Sequence, residues 1–105
     1  MKYNIIRTET ADICIRKIIL YIAQNFGKDV ALKKLDAMEE SILVLADNPY
    51  IGNDPIYPLL RRKGYKVLVI EKNLVFYKIN EKDRTIIIYA VVDQRQDYLN
   101  IIMGL

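Results

Sequence analysis

Aliphatic residues recur at three- and four-residue steps through the first half of the chain, and β-branched and aromatic residues crowd into short runs in the second. The first pattern predicts helices and the second predicts strands. Residues 3–7 alternate weakly and read as a short opening strand. Thr8 or Thr10 can then cap a helix by accepting the free N–H groups of its first turn. That helix runs to about Asn25, with Ala11, Cys14, Ile15, Ile18, Ile22 and Phe26 on one stripe facing a core, and Gly27 ends it. A second helix spans about Asp29 to Leu45, with Ala31, Leu35, Met38, Ile42 and Leu45 on its buried side. The two helices form an antiparallel hairpin.

Residues 47–55 are dense in Asn, Asp, Gly and Pro, so the chain leaves helical geometry there and crosses over in a loop. Residues 65–70, 74–79 and 85–92 read as three strands separated by polar turns, which makes an antiparallel meander. The last strand is apolar on both faces of its pleat, so it is central or its far face is covered. After a polar turn at 93–97, Ile101, Ile102 and Leu105 can form one or two helical turns. The expected architecture is α+β: a βααβββ order, with the helical hairpin on one face of a small antiparallel sheet and a short C-terminal helical tail. With no linker, repeat or low-complexity stretch, residues 1–105 read as a single domain.

Composition narrows the chemistry. The 52% of hydrophobic residues supplies one real core, and the apolar runs are too short for a membrane helix, which needs roughly 20 residues. The N-terminus turns polar at Arg7 before a signal peptide could develop, so a cytoplasmic location without membrane association is expected. There is no histidine and one cysteine, Cys14, which reads as a small core residue; neither a metal site nor any other cofactor is expected. Any catalysis must run on Lys, Arg, Tyr or carboxylates. The formal charge of +3 allows attraction to nucleic acid or to an acidic partner without demanding either.

Several segments resemble a known superfamily. Tyr3-Asn4-Ile5-Ile6-Arg7-Thr8 and Ile18-Ile19-Leu20-Tyr21-Ile22-Ala23 resemble the first strand and helix of RelE/ParE toxins. Asn48-Pro49-Tyr50-Ile51-Gly52 resembles their P-x-x-G loop. Gly64-Tyr65-Lys66 and Leu74-Val75-Phe76-Tyr77 resemble two of their strands, and Arg95-Gln96-Asp97-Tyr98 resembles their closing signature, with Asp93-Gln94 where His-Gly is usual. Order and spacing carry the resemblance over nearly the whole chain. It implies a type II toxin of a bacterial toxin–antitoxin system, associated with plasmid stabilisation and growth inhibition. Its partner would be a cognate antitoxin, and its target either mRNA cut on the ribosome or DNA gyrase.

If the chain is an enzyme, the resemblance implies an mRNA endoribonuclease working without histidine. Lys66 would be the base or electrostatic stabiliser, Arg61, Arg62 and Arg95 the phosphate clamps, and Tyr98 a proton donor or stacking surface. Lysine acts as a base only when burial or neighbouring cations depress its pKa. The set is incomplete beside the nuclease pattern: Leu74 stands where an arginine is usual, Leu68 where a second lysine is, and Ile101 where a late tyrosine is. The bland alternatives are a solvated run for Arg61 to Lys63, a surface ion pair for Arg95 with Asp97, and packing for Tyr65, Tyr77 and Tyr89. A shared active surface also requires the cations around residues 61–66 to lie near those following the last strand.

For the antitoxin, Ile13 and Leu20 fall opposite the core stripe of the first helix, and Leu32 and Leu43 sit at the margin of the second. These four are the expected antitoxin-binding residues, offered to an amphipathic or acidic segment that folds on contact. The rival reading is a non-catalytic nucleic-acid- or protein-binding module, an inactive toxin homologue acting as a regulator.

Overall fold

Thr8 joins the first strand to the first helix. In the computed structural model, which describes residues 2–105, β1 (Asn4–Arg7) leads at once into α1 (Glu9–Phe26). The Thr8 Oγ1 accepts from the Ala11 N–H at 3.1 Å, pairing one of the donors that a first turn leaves free. The same hydroxyl donates to the Tyr89 carbonyl at 3.2 Å and so fixes the helix start to the sheet. Glu9 and Asp12 place negative charge in the first turn, where the helix dipole favours it.

Gly27, at φ +95°, reverses the chain, a conformation that a side chain would oppose. α2 (Lys28–Leu43) follows and is extended by a 3-10 turn, Val44–Ala46. Ala11, Ile15, Ala31, Met38, Ile42 and Leu45 are buried as their spacing predicts. Phe26 departs from the expected stripe and is 65% exposed. Residues 24–30 around the hairpin tip are all exposed. α1 is about 27 Å long, and its buried residues, Ala11 and Ile15, lie in its first half.

The sheet contains β1, β2 (Lys66–Ile70), β3 (Asn73–Asn80) and β4 (Thr85–Asp93) in the order β1-β4-β3-β2. β2, β3 and β4 form the expected antiparallel meander. The β1–β4 pair is parallel, Asn4 opposite Thr85 through Arg7 opposite Ile88, so the sheet is mixed rather than wholly antiparallel. A parallel pair needs a long crossover, and here the helical hairpin and the two preceding strands supply it. β4 is central. It also carries a bulge: Ile88 faces Tyr77 and Ala90 faces Phe76, leaving Tyr89 as the extra residue whose carbonyl is free for Thr8.

Both faces of the sheet are covered. The hairpin packs Ala11, Ile15, Met38 and Ile42 against Val75, Tyr77, Ile86, Ile88 and Val91. On the opposite face a second core gathers Leu60, Tyr65, Val67, Phe76, Ala90, Val92, Tyr98 and Ile102. Two short helices close it, α3 (Pro58–Arg62) and α4 (Leu99–Met103). α4 matches the helical tail expected from the sequence. α3 was unforeseen there; Arg61 and Arg62 belong to it and, with Lys63, are exposed as a solvated run would be. Pro58 starts α3 where its missing N–H costs nothing. The Gly64 and Tyr65 N–H groups close it by donating to the Arg61 and Leu60 carbonyls at 3.0 and 3.2 Å, with Gly64 at φ +91°.

The loop before α3 is anchored from beneath. The buried Tyr77 hydroxyl donates to the Pro49 carbonyl at 2.8 Å and accepts from the Gly52 N–H at 3.2 Å. A methyl group on Gly52 would collide with that hydroxyl and with the Val67 carbonyl, 2.8 Å away. Gly52→Ala is therefore expected to destabilise by about 1–3 kcal/mol through overpacking, and Tyr77→Phe by about 1–3 kcal/mol through unpaired loop groups. Urea denaturation of the double variant should show less than the sum, because both changes act on one contact.

Candidate functional site

A three-strand meander makes its first and third strands parallel, so the residues just before β2 and those just after β4 lie at opposite ends of the sheet. Lys66 opens β2 opposite Tyr77, whereas Asp93 closes β4 opposite Asn73, beside Ile70 at the far end of β2. The usual strand rise and spacing put the Lys66 and Asp93 backbones roughly 16 Å apart, and Arg95 lies beyond Asp93. The cations expected to share one surface are therefore not brought together.

All of them but Arg62 have a local partner. The Lys66 ammonium is 3.5 Å from the Asp54 carboxylate and 5.7 Å from the centre of the Tyr50 ring. Arg61 Nη1 donates to the Pro55 carbonyl at 2.9 Å, which holds the loop to α3. Arg62 is exposed on the same short helix, and among the described residues it has no ion-pair partner. Tyr98 is buried, with its ring centre 5.2 Å from that of Phe76 and 5.6 Å from that of Tyr57. Burial, helped by Tyr57, raises its pKa, which makes it a weaker proton donor. Tyr65 and Tyr77 are buried as expected, and Lys78 lies over the Tyr65 and Tyr89 rings at 4.5 and 5.2 Å.

Arg95 forms a surface ion pair, as the bland reading allowed, but with Asp93 in place of Asp97. Its Nε and Nη2 donate to the two Asp93 carboxylate oxygens at 3.1 Å each. These bonds, with the Arg95 backbone N–H, hold the Asp93 pKa down at about 2. A depressed carboxyl pKa stabilises the fold above the unfolded value, and that contribution is lost as pH falls through the folded one. The melting temperature should therefore fall between about pH 4 and pH 2, and Asp93→Asn should flatten that part of a circular-dichroism melting series.

Beside this pair lies a groove of about 880 Å³. Ile13, Lys17 and Tyr21, one helical turn apart on α1, form one wall. Phe26 and Val30 from the hairpin tip, Lys72 from the turn between β2 and β3, Asp93 from the end of β4 and Ile101 from α4 also line it. Lys34 pairs with Glu71 at 3.3 Å and Arg95 with Asp93, while Lys17 and Lys72 have no ion-pair partner among the described residues. The lining is thus apolar with two cations to spare, as an amphipathic acidic segment requires.

The expected antitoxin residues divide around this groove. Ile13 lines it. Leu20 lines a separate, smaller depression of about 410 Å³, beside Arg7, Asp12 and Glu39. Leu32 and Leu43 are exposed but border neither. The groove also takes in Tyr21, Phe26 and Val30, which sequence reasoning had not placed on a shared surface. The spacing of Ile13, Lys17 and Tyr21 was the available signal, and assigning Phe26 to the core hid the rest.

The sequence from residue 5 to residue 98 matches the family model of the ParE toxin of type II toxin-antitoxin systems, parDE. No curated protein matches the chain. Among solved structures, the chain is similar to one of the chromosomal ParDE toxin–antitoxin system from P. aeruginosa, with 18% identity, coverage of 88% of this chain and 96% of that one, and a TM-score of 0.73. The toxin–antitoxin complex RelBE2 from Mycobacterium tuberculosis gives 19%, 91%, 95% and 0.65. The intact E. coli RelBE toxin–antitoxin complex gives 13%, 87%, 95% and 0.57. At these identities the structures establish a shared fold, and the family match establishes kinship: this chain belongs to the ParE toxin family of type II toxin–antitoxin systems.

Proposed function

We propose that this toxin arrests bacterial growth by binding and inhibiting DNA gyrase, and that a cognate antitoxin silences it by laying an amphipathic segment in the groove along α1. The observation that supports docking over RNA cleavage is the separation of Lys66 from Arg95 by the length of β2. A nuclease needs its cations converged on one phosphorane, held to within about an ångström. Here they sit at opposite ends of a sheet, and the tyrosine that would supply a proton is packed into a core. Membership of the ParE family points the same way.

Expressing the chain in cells without its antitoxin tests this reading. Growth arrest with relaxed plasmid DNA and intact transcripts is expected. Arrest with mRNA cut in translating ribosomes would replace gyrase with RNA as the target. No arrest at all would leave the chain a binding module or a decayed toxin.

A further inference from the structure

We propose that the loop running from Tyr50 into α3 and on to Lys66 is the toxin's effector surface, built to seat on an acidic protein face of its target and separate from the groove along α1. This rests on the reading of the chain as a toxin that acts by docking. The first observation is charge. Residues 50–66 carry Arg61, Arg62, Lys63 and Lys66 against Asp54 alone, so this segment holds the chain's whole net charge of +3 and the remainder is balanced. The second is the apolar surface set among those cations. Ile56 is 74% exposed, Ile51 55% and Leu59 41%. Exposed aliphatics gain nothing from a phosphate backbone, whereas a protein face buries them while its carboxylates meet the arginines and lysines.

The third observation is rigidity. A loop of this composition would ordinarily be mobile, and disorder would weaken its binding. This one is fastened at three places: the Tyr77 hydroxyl beneath Pro49 and Gly52, Arg61 on the Pro55 carbonyl, and a pair of 2.8 Å backbone bonds between Asn53 and Val67. The last pair also occupies part of the outer edge of β2. The segment is a preformed ridge, and charge on its rim steers an acidic partner onto it.

The test is an Arg62→Glu/Lys63→Glu variant of the full chain, both positions being exposed. Growth arrest without antitoxin should fall by at least about tenfold in plating efficiency, while the melting temperature and affinity for the cognate antitoxin stay unchanged. An Ile56→Asp variant, which removes no buried contact, should behave alike and covers the case of a double variant that folds poorly. Equal arrest by parent and folded variants, whether strong or absent, overturns the proposal. So does a parent that binds a DNA duplex or an RNA strand through these cations as tightly as any protein, because the ridge would then be a nucleic-acid surface. If arrest depends on the ridge while gyrase supercoiling is untouched by the parent, gyrase is the wrong target and the ridge stands.

Discussion

Truncating Phe76 to alanine is expected to remove about 3–5 kcal/mol of stability, a large share of the roughly 5–15 kcal/mol that a domain possesses. Phe76 is fully buried in the middle of β3, opposite the bulge in β4. Its ring centre lies 6.2 Å from that of Tyr65 and 5.2 Å from that of Tyr98. It therefore joins the end of α3, the sheet and the start of α4, and little else can collapse into the space it leaves. Phe76→Leu keeps most of the volume and should cost under about 1.5 kcal/mol. Urea denaturation separates the two, and a loss below about 1 kcal/mol for the alanine variant would mean that the second core is not closed by α3 and α4 as described.

Replacing Ile13 with lysine should weaken binding of the cognate antitoxin by at least about thirtyfold, the effect of losing one buried interface anchor. The new charge would stand one helical turn from Lys17 in a groove that already has cations to spare. Leu20→Lys should change affinity by less than about threefold, because Leu20 borders the separate depression beside Arg7 and Glu39 and not the groove. Titration calorimetry with each variant decides the matter. Equal losses would place the antitoxin along the line that Ile13 and Leu20 share on α1, as the sequence alone had suggested. Both side chains contribute little to the core, so neither substitution should move the melting temperature by more than a few degrees.

The helices were legible because Ala11, Ile15, Ala31, Met38 and Ile42 repeat at helical spacing and have no other reason to do so. The meander was legible because short β-branched runs are separated by polar turns. The apolar character of β4 on both faces foretold its central place. Strand pairing between β1 and β4 was not legible, since those strands are far apart in the chain and nothing local to either marks its neighbour. α3 escaped notice although Pro58 and Gly64 bracket it, because a five-residue helix has no periodicity to detect.

The candidate site was read less well, for a reason that topology explains. Lys66 and Arg95 were expected on one surface, yet three strands joined by two tight turns require the start of the first and the end of the last to be distant. That conclusion was available from the strand count alone. Phe26 was misplaced because spacing says which side of a helix a residue occupies, and not how far along the helix the core reaches.

One measurement addresses the central claim most directly: the purified chain titrated into a supercoiling reaction containing DNA gyrase, ATP and relaxed plasmid, with and without its antitoxin. A dose-dependent loss of supercoiling that the antitoxin relieves is the predicted result. Undiminished supercoiling at excess toxin, with the same preparation cutting mRNA on translating ribosomes, would contradict it.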